Sequence, residues 1–372
     1  MAGSIKFAAT ALVACSALAG PLYHVTSLGS FGGDSSVAYA IAGNGSVAGS
    51  GLTANWEERA FLYENETLQD LEGGFSRAHS LNSSGAVAGT SYAGGRAQAV
   101  VWSGNTRFAL GTLGGAESDA MGINSAGVVV GRADTASGQG HAFRWNGGRM
   151  EDLGTLPGGS WASAYAINDG GQVVGYGMNG SGFFRAYVEN PGLGLTELGT
   201  LGGWNSYAFG INGAGRIIGH SSVATGYLHA YLYSSGRMED LGTLGGNQSY
   251  AYGINGRGEV VGHSWLVDSQ TTHAYLYRDG RMTDLNALID PAGGWELLEA
   301  YGINESGQIA GMGRFDGQTL AYRLDPVPTA APPMLAPAEP PPTPNPEPGT
   351  LALLGIGLVA VAGAARRKKN GH

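Results

Sequence analysis

The chain has a single cysteine, Cys15, and only three lysines, Lys6, Lys368 and Lys369, all close to its ends. A body without cysteine holds no disulfide and no thiolate metal site, so its stability must come from buried area and repetition. Charge is scarce as well, at 13% of residues. Setting aside the three lysines with Arg366 and Arg367, the other 15 arginines face 29 carboxylates, a net of −14. Such a body presents no cationic face, which argues against nucleic acid as a partner. The central chain lacks stretches of Leu, Glu, Lys and Ala at helical spacing, and no G-x-S-x-G, H-E-x-x-H, G-x-x-x-x-G-K-[ST] or EF-hand pattern occurs. What abounds is glycine, 66 residues, together with Val, Ile, Tyr and Thr. The composition reads as all-β with many tight turns.

One phrase returns along the chain. LGTLGG stands at 110–115, 198–203 and 241–246, and as LGTLPGG at 153–159. Aligned on the phrase GIN, the chain places Ala42, Asn82, Asn124, Asn168, Asn212, Asn255 and Asn304 at one equivalent position, with spacings of 40, 42, 44, 44, 43 and 49. That makes seven copies of one unit. The clearest copy, 249–285, divides into four short strands at 249–254, 259–263, 273–277 and 281–285. Between the first two lies NGRG, with NSSG, NSAG, NDGG, NGAG and NESG as equivalents. Asparagine can bond its own backbone two residues on and the final glycine accepts positive φ, so the phrase predicts a hairpin turn rather than a calcium or catalytic site. The third strand opens with His141, His229 or His273, but the same place accepts Arg59, Gln98 and Arg185. A position tolerant of all three predicts a structural hydrogen bond rather than a metal ligand. LGTLGG itself reads as the connection from one unit to the next, its glycines allowing a tight bend.

Seven four-stranded units of about 43 residues predict an all-β, seven-bladed β-propeller over 20–325. The first strand candidate, YHVTSL at 23–28, occupies the place of a fourth strand, and the last, LAYRL at 320–324, that of a third. Pairing of these two segments would complete the final unit and close the ring without an exposed edge.

The ends carry addressing signals. Residues 1–19 hold one lysine, an apolar run and a small-x-small site, Ala17-Leu18-Ala19, the pattern of a leader removed by signal peptidase. An alternative reads LVAC at 12–15 as a lipoprotein box with Cys15 as the lipidated residue. At the other end a proline-rich spacer, 326–348, precedes NPEPGT, an apolar segment at 351–365 and RRKK at 366–369. This tail, over 345–369, resembles the PEP-CTERM sorting signal of Gram-negative bacteria in Pro346, Glu347, Pro348, the short apolar segment, Arg366 and Arg367. The resemblance implies an exosortase as processing partner, membrane insertion before processing and delivery to the cell surface or matrix. A permanent single-span anchor is the competing reading of the same segment. The repeat resembles the extracellular HAF repeats, named for phrases like HAF at 141–143. That match covers 28–322, weakens at LGSFGG (28–33) and LEGG (71–74), and implies no particular activity.

No catalytic, cofactor or metal site is expected, because the recurring acids such as Asp152 and Asp240 have equivalents in several units. Two unrepeated features compete with that view, DPAGGWELLEA at 290–300 with Glu296 and Glu299, and the loop holding Asp268. A carboxylate pair there would suit a glycosidase or lyase. The favoured expectation is a binding module, with Trp56, Tyr92, Tyr227 and Trp265 on the variable loops between second and third strands as candidate contacts for exopolysaccharide or a surface protein. A purely structural matrix component is the alternative from a different class.

Overall fold

Seven alanines explain why this sequence folds as it does. Ala38, Ala78, Ala120, Ala164, Ala208, Ala251 and Ala300, each four residues before the aligned Asn or Ala, are all 0% exposed. They lie on the first strand of each unit, where neighbouring sheets converge and only small side chains fit. A second set on the third strands, among them Ala60, Ala142, Ala230 and Ala321, is equally buried. Further from the centre the sheets diverge, and Phe61, Trp102, Phe143, Tyr187, Tyr231, Tyr275 and Tyr322 fill the widening gap.

The structure is a computed structural model that describes residues 22–267 and 271–328. The leader, the spacer and sorting tail beyond Pro328, and Asp268 lie outside the described residues. The described chain is all-β and propeller-like, with 28 strands and two short 3₁₀ turns, Leu285–Leu288 and Pro291–Gly293. Five sheets have four antiparallel strands each, for example Ser249–Ile254, Val260–Trp265, Thr272–Arg278 and Arg281–Asp284. The remaining eight strands form two four-stranded groups joined by one parallel bridge, Ser35 to Thr319. In one of these groups Tyr23–Gly29 runs antiparallel to Gln318–Pro326, with Val25 opposite Leu324 and Ser27 opposite Tyr322. The two segments expected to pair therefore do so, and the terminal chain is held where it leaves the sheet by Val327 N–H donating to Leu22 O at 2.9 Å.

Two boundaries differ from the sequence reading. In two of its copies LGTLGG is a connection only in its first half, since the strands Gly114–Ile123 and Gly202–Ile211 begin at its last two glycines, whereas the copy at 241–246 lies wholly before the strand Ser249–Ile254. The reason is backbone crowding: a Cβ on Gly115 would sit 2.6 Å from Asp134 Cβ on the paired strand. The variable loops are also shorter than expected, because Ser, Thr and His residues placed in them continue the second strand, as in Ile217–Val223 and Val260–Trp265. These polar side chains are buried by adjacent strands rather than hydrated, so polarity alone misplaced the boundary.

Neighbouring units are stitched by two recurrent hydrogen bonds. Ser36, Ser76, Ser118, Ser206 and Ser249 each accept through Oγ from the third-strand alanine N–H of the preceding unit, at 2.8–3.0 Å. The same hydroxyls donate to a glycine carbonyl of the linker, for example Ser249 Oγ to Gly242 O at 2.6 Å. The aligned asparagines do more than turn the chain. Asn212 Oδ1 accepts from the Ala214 and Arg216 N–H groups, as expected of a side chain closing its own turn, while Asn212 Nδ2 donates to Asn255 O of the next unit at 3.0 Å. The pattern repeats from Asn82 to Asn124, Asn124 to Asn168, Asn168 to Asn212 and Asn255 to Asn304, and Asn304 donates to Ala42 O.

Candidate functional site

The residue three places before each aligned position faces a common space. Tyr39, His79, Met121, Tyr165, Phe209, Tyr252 and Tyr301 form one tier around an open cavity of about 480 Å³, and Ile41, Leu81, Ile123, Ile167, Ile211, Ile254 and Ile303 form a tier beneath it. Their side chains point there because the inner strand alternates: small residues turn into the sheet interfaces and the intervening large ones turn to the axis. Neighbouring rings touch, with centroids 4.9 Å apart for Tyr165 and Phe209, 5.0 Å for Tyr252 and Tyr301, and 5.2 Å for Tyr301 and Tyr39.

Two residues earlier on each inner strand a second tier stands nearer the loops. Here the units diverge. Tyr207 pairs across the sheet with His220 and Tyr250 with His263, and their rings pack against Tyr176, Phe209 and Tyr252 to extend the aromatic wall. Trp161 and Phe184 continue it outward from Tyr176. At the equivalent places on the far side stand Arg77 and Asp119. Arg77 Nη2 meets Glu58 at 2.7 Å, and Asp119 accepts from Arg132 and from Thr90 Oγ1, each at 3.1 Å. This second tier thus carries an aromatic arc and an arc of ion pairs in which Arg132 is shared by Glu117, Asp119 and Asp134.

Electrostatics inside the aromatic arc are set by desolvation. Burial pulls the His220 imidazole down to about 3, with His263 adding a smaller push, and holds His263 below its usual range against a weaker opposing effect of Glu299. His79 is drawn to about 4, again by burial first. All three rings are neutral near pH 7. Burial also raises the phenols of Tyr39, Tyr165, Tyr252 and Tyr301, so each keeps its proton.

The residues singled out from sequence fall elsewhere. Trp56 and Tyr227 are exposed on separate loops, 71% and 46% accessible. Tyr92 is half-buried against Phe75, with ring centroids 4.7 Å apart. Trp265 is not in a loop at all but is the half-buried last residue of the strand Val260–Trp265, opposite Thr272. No ring contact joins any two of the four among the described residues. The repeated histidines meet the recurring acids of the fourth strand: His141 Nδ1 lies 3.0 Å from Asp152, His229 Nδ1 2.8 Å from Asp240 and His273 Nδ1 2.6 Å from Asp284. Arg59 makes the equivalent bond to Asp70 at 2.9 Å. Among the described residues no group of three or more His, Cys, Asp or Glu side chains is placed to hold a metal ion.

Glu296 and Glu299 have different partners. Glu296 pairs with Arg314 at 3.0 Å, whereas Glu299 accepts from Tyr301 Oη at 2.5 Å and lies 3.5 Å from His263 Nδ1. Sequence reasoning missed the axial tiers because it read SYAYGI as a strand and its tyrosines as strand formers. The signal was present in the large residue recurring three places before each aligned asparagine.

The C-terminal residues 346–368 match the PEP-CTERM protein-sorting motif. That motif implies processing by an exosortase and secretion to the cell envelope or surface. The matched tail lies outside the described residues, among which no helix is long and apolar enough to cross a membrane. No curated protein matches the sequence. Among solved structures, a puromycin-hydrolyzing peptidase of Mycobacterium tuberculosis is similar with a TM-score of 0.55 at 12% identity, over 82% of this chain and 55% of that one. TolB from Acinetobacter baumannii is similar with a TM-score of 0.46 at 12% identity, over 76% of this chain and 64% of that one. This chain therefore spans less than two thirds of either, and the likeness to the peptidase is one of fold.

Proposed function

We propose that the protein is a secreted, exosortase-sorted surface or matrix component whose HAF-type repeats form a closed seven-bladed propeller, and that it acts as a binding module through the loop-side entrance of its central cavity. The observation that carries this reading is the continuous aromatic wall from Trp161 to Tyr39. Fixing so many partly accessible rings around open space is costly in exposed apolar area unless something covers them. Closure is supported by the pairing of Tyr23–Gly29 with Gln318–Pro326 and by the bond from Asn304 to Ala42. The segment organisation follows: leader 1–19, propeller 20–325, spacer 326–348 and sorting tail.

The reading is of a binding protein rather than an enzyme. Its recurring acids sit in His or Arg pairs, and Glu296 and Glu299 engage separate partners. Exopolysaccharide and a surface protein are the ligand classes in view. The test is retention of the secreted protein on the producing cells' own extracellular matrix, measured as a sedimentation isotherm. Saturable retention supports a binding module; self-association without retention points to a structural matrix role.

A further inference from the structure

We infer that the entrance of the central cavity recognises an uncharged polysaccharide, taking one sugar ring against the aromatic arc, and that it rejects acidic polysaccharides. This inference rests on the binding-module reading and narrows it to a ligand class.

The first step is size and shape. Ring centroids 4.9 to 6.0 Å apart around the axis put the aromatic centres about 6 Å from it, an opening for one flat ring or one extended chain rather than a protein surface. The second is surface chemistry. Tyr207 and Tyr250 are partly accessible rings that carry hydroxyl groups, the combination that suits a pyranose with apolar C–H faces and a hydroxyl rim.

The third step is charge, and it decides the class. On the far arc no cation is free, since Arg77 is held by Glu58 and Arg132 is shared by Asp119, Asp134 and Glu117. On the aromatic arc the histidines are neutral, because burial holds His220 and His263 below their usual range. The one carboxylate there without a cationic partner, Glu299, is an acceptor for hydroxyl groups and repels anions. A uronate or sulfate would enter with no free cation to receive it, against a body over 20–325 in which 15 arginines face 27 carboxylates. A cationic ligand would find Glu299 engaged by Tyr301, and Asp119 and Asp134 engaged by Arg132.

The experiment is affinity electrophoresis of the full secreted protein in gels containing laminarin, dextran or galactomannan as neutral probes and alginate as the uronate. It is paired with fluorescence titration by the matching oligosaccharides, since Trp161 reports from the wall. The expected result is retardation by at least one neutral polymer and none by alginate, with binding weakened about tenfold or more by Tyr207→Ala or Tyr250→Ala. Tyr207→Phe should keep the ring and bind within a few-fold of wild type, and Trp204→Ala, 65% exposed and packed on Phe183 rather than on the wall, should leave binding unchanged. Melting curves separate loss of binding from loss of fold. Retardation by alginate as strong as by any neutral polymer overturns the charge argument while leaving the binding module standing. Retention on matrix protein alone, with no polymer retarding, also overturns it. Binding to neither polymer nor matrix removes both this inference and the reading beneath it.

Discussion

The side-chain amide of Asn304 donates to the carbonyl oxygen of Ala42 at 2.9 Å, across 262 positions of sequence. It is the sixth bond of a series in which each aligned asparagine closes its own turn with Oδ1 and holds the next unit with Nδ2. Ala42 has no side-chain amide to pass the series on to Asn82, so the series has one missing link.

Replacing Asn304 by Asp keeps the turn acceptors but removes the donor and sets a carboxylate against a carbonyl. Asn304→Asp is expected to cost about 1–3 kcal/mol, and Asn212→Asp, at an interior joint, about the same. Equilibrium urea unfolding measures both. A much smaller cost at Asn304 would mean that the first and last units are not joined as the interior ones are. The converse variant, Ala42→Asn, supplies the missing donor and is expected to gain about 1 kcal/mol.

Gly175 occupies a strand position where a Cβ would lie 2.8 Å from Tyr187 Oη and 2.9 Å from Ala164 Cα. Its equivalents Gly49, Gly89 and Gly311 are crowded in the same way by Phe61, Trp102 and Tyr322. The phrase VVG therefore needs glycine for space, not for turning. Gly175→Ala is expected to destabilise by about 3 kcal/mol or more, since packed backbone must shift. Gly104→Ala has open space around it but a positive φ of 54°, so its cost should be smaller, about 1 kcal/mol. Melting temperatures of the two variants test the ranking.

Tyr231 is fully buried, and its hydroxyl has no hydrogen-bond partner among the described residues. Phe61 and Phe143 fill the equivalent place elsewhere in the chain. Tyr231→Phe is accordingly expected to stabilise by about 1 kcal/mol, because it removes an unsatisfied polar atom without changing shape. A loss of stability in thermal unfolding would show that the hydroxyl has a partner, such as an internal water.

Acid should weaken the fold through His220. The unfolded chain protonates it near its ordinary value of 6.5, whereas the folded chain holds it neutral down to about 3. The folded value is depressed, so this stabilisation is complete above about pH 6.5 and drains away as pH falls toward 3. Carboxylates titrate in both proteins, so the informative quantity is the difference: His220→Gln should lose less stability than wild type between pH 7 and 4. Parallel pH curves for the two would mean that His220 is protonated in the fold.

The strand order, the four-strand unit and the pairing of the two ends were legible in the sequence, because each depends on local rules repeated seven times. Alternation marks a strand, Asn with Gly marks a turn, and a displaced fourth strand at the start of the chain is visible by counting. The same repetition exposed His141, His229 and His273 as structural, and they pair with Asp152, Asp240 and Asp284. The aromatic wall was not legible, and Trp265, expected in a loop, is the last residue of a strand. Whether Tyr250 stacks on a neighbour or faces water depends on how far apart adjacent sheets stand at the axis. That spacing is set by the sizes of seven alanines from seven distant segments acting together. A sequence states which residues are small and which are large; only packing around the axis decides which large ones meet.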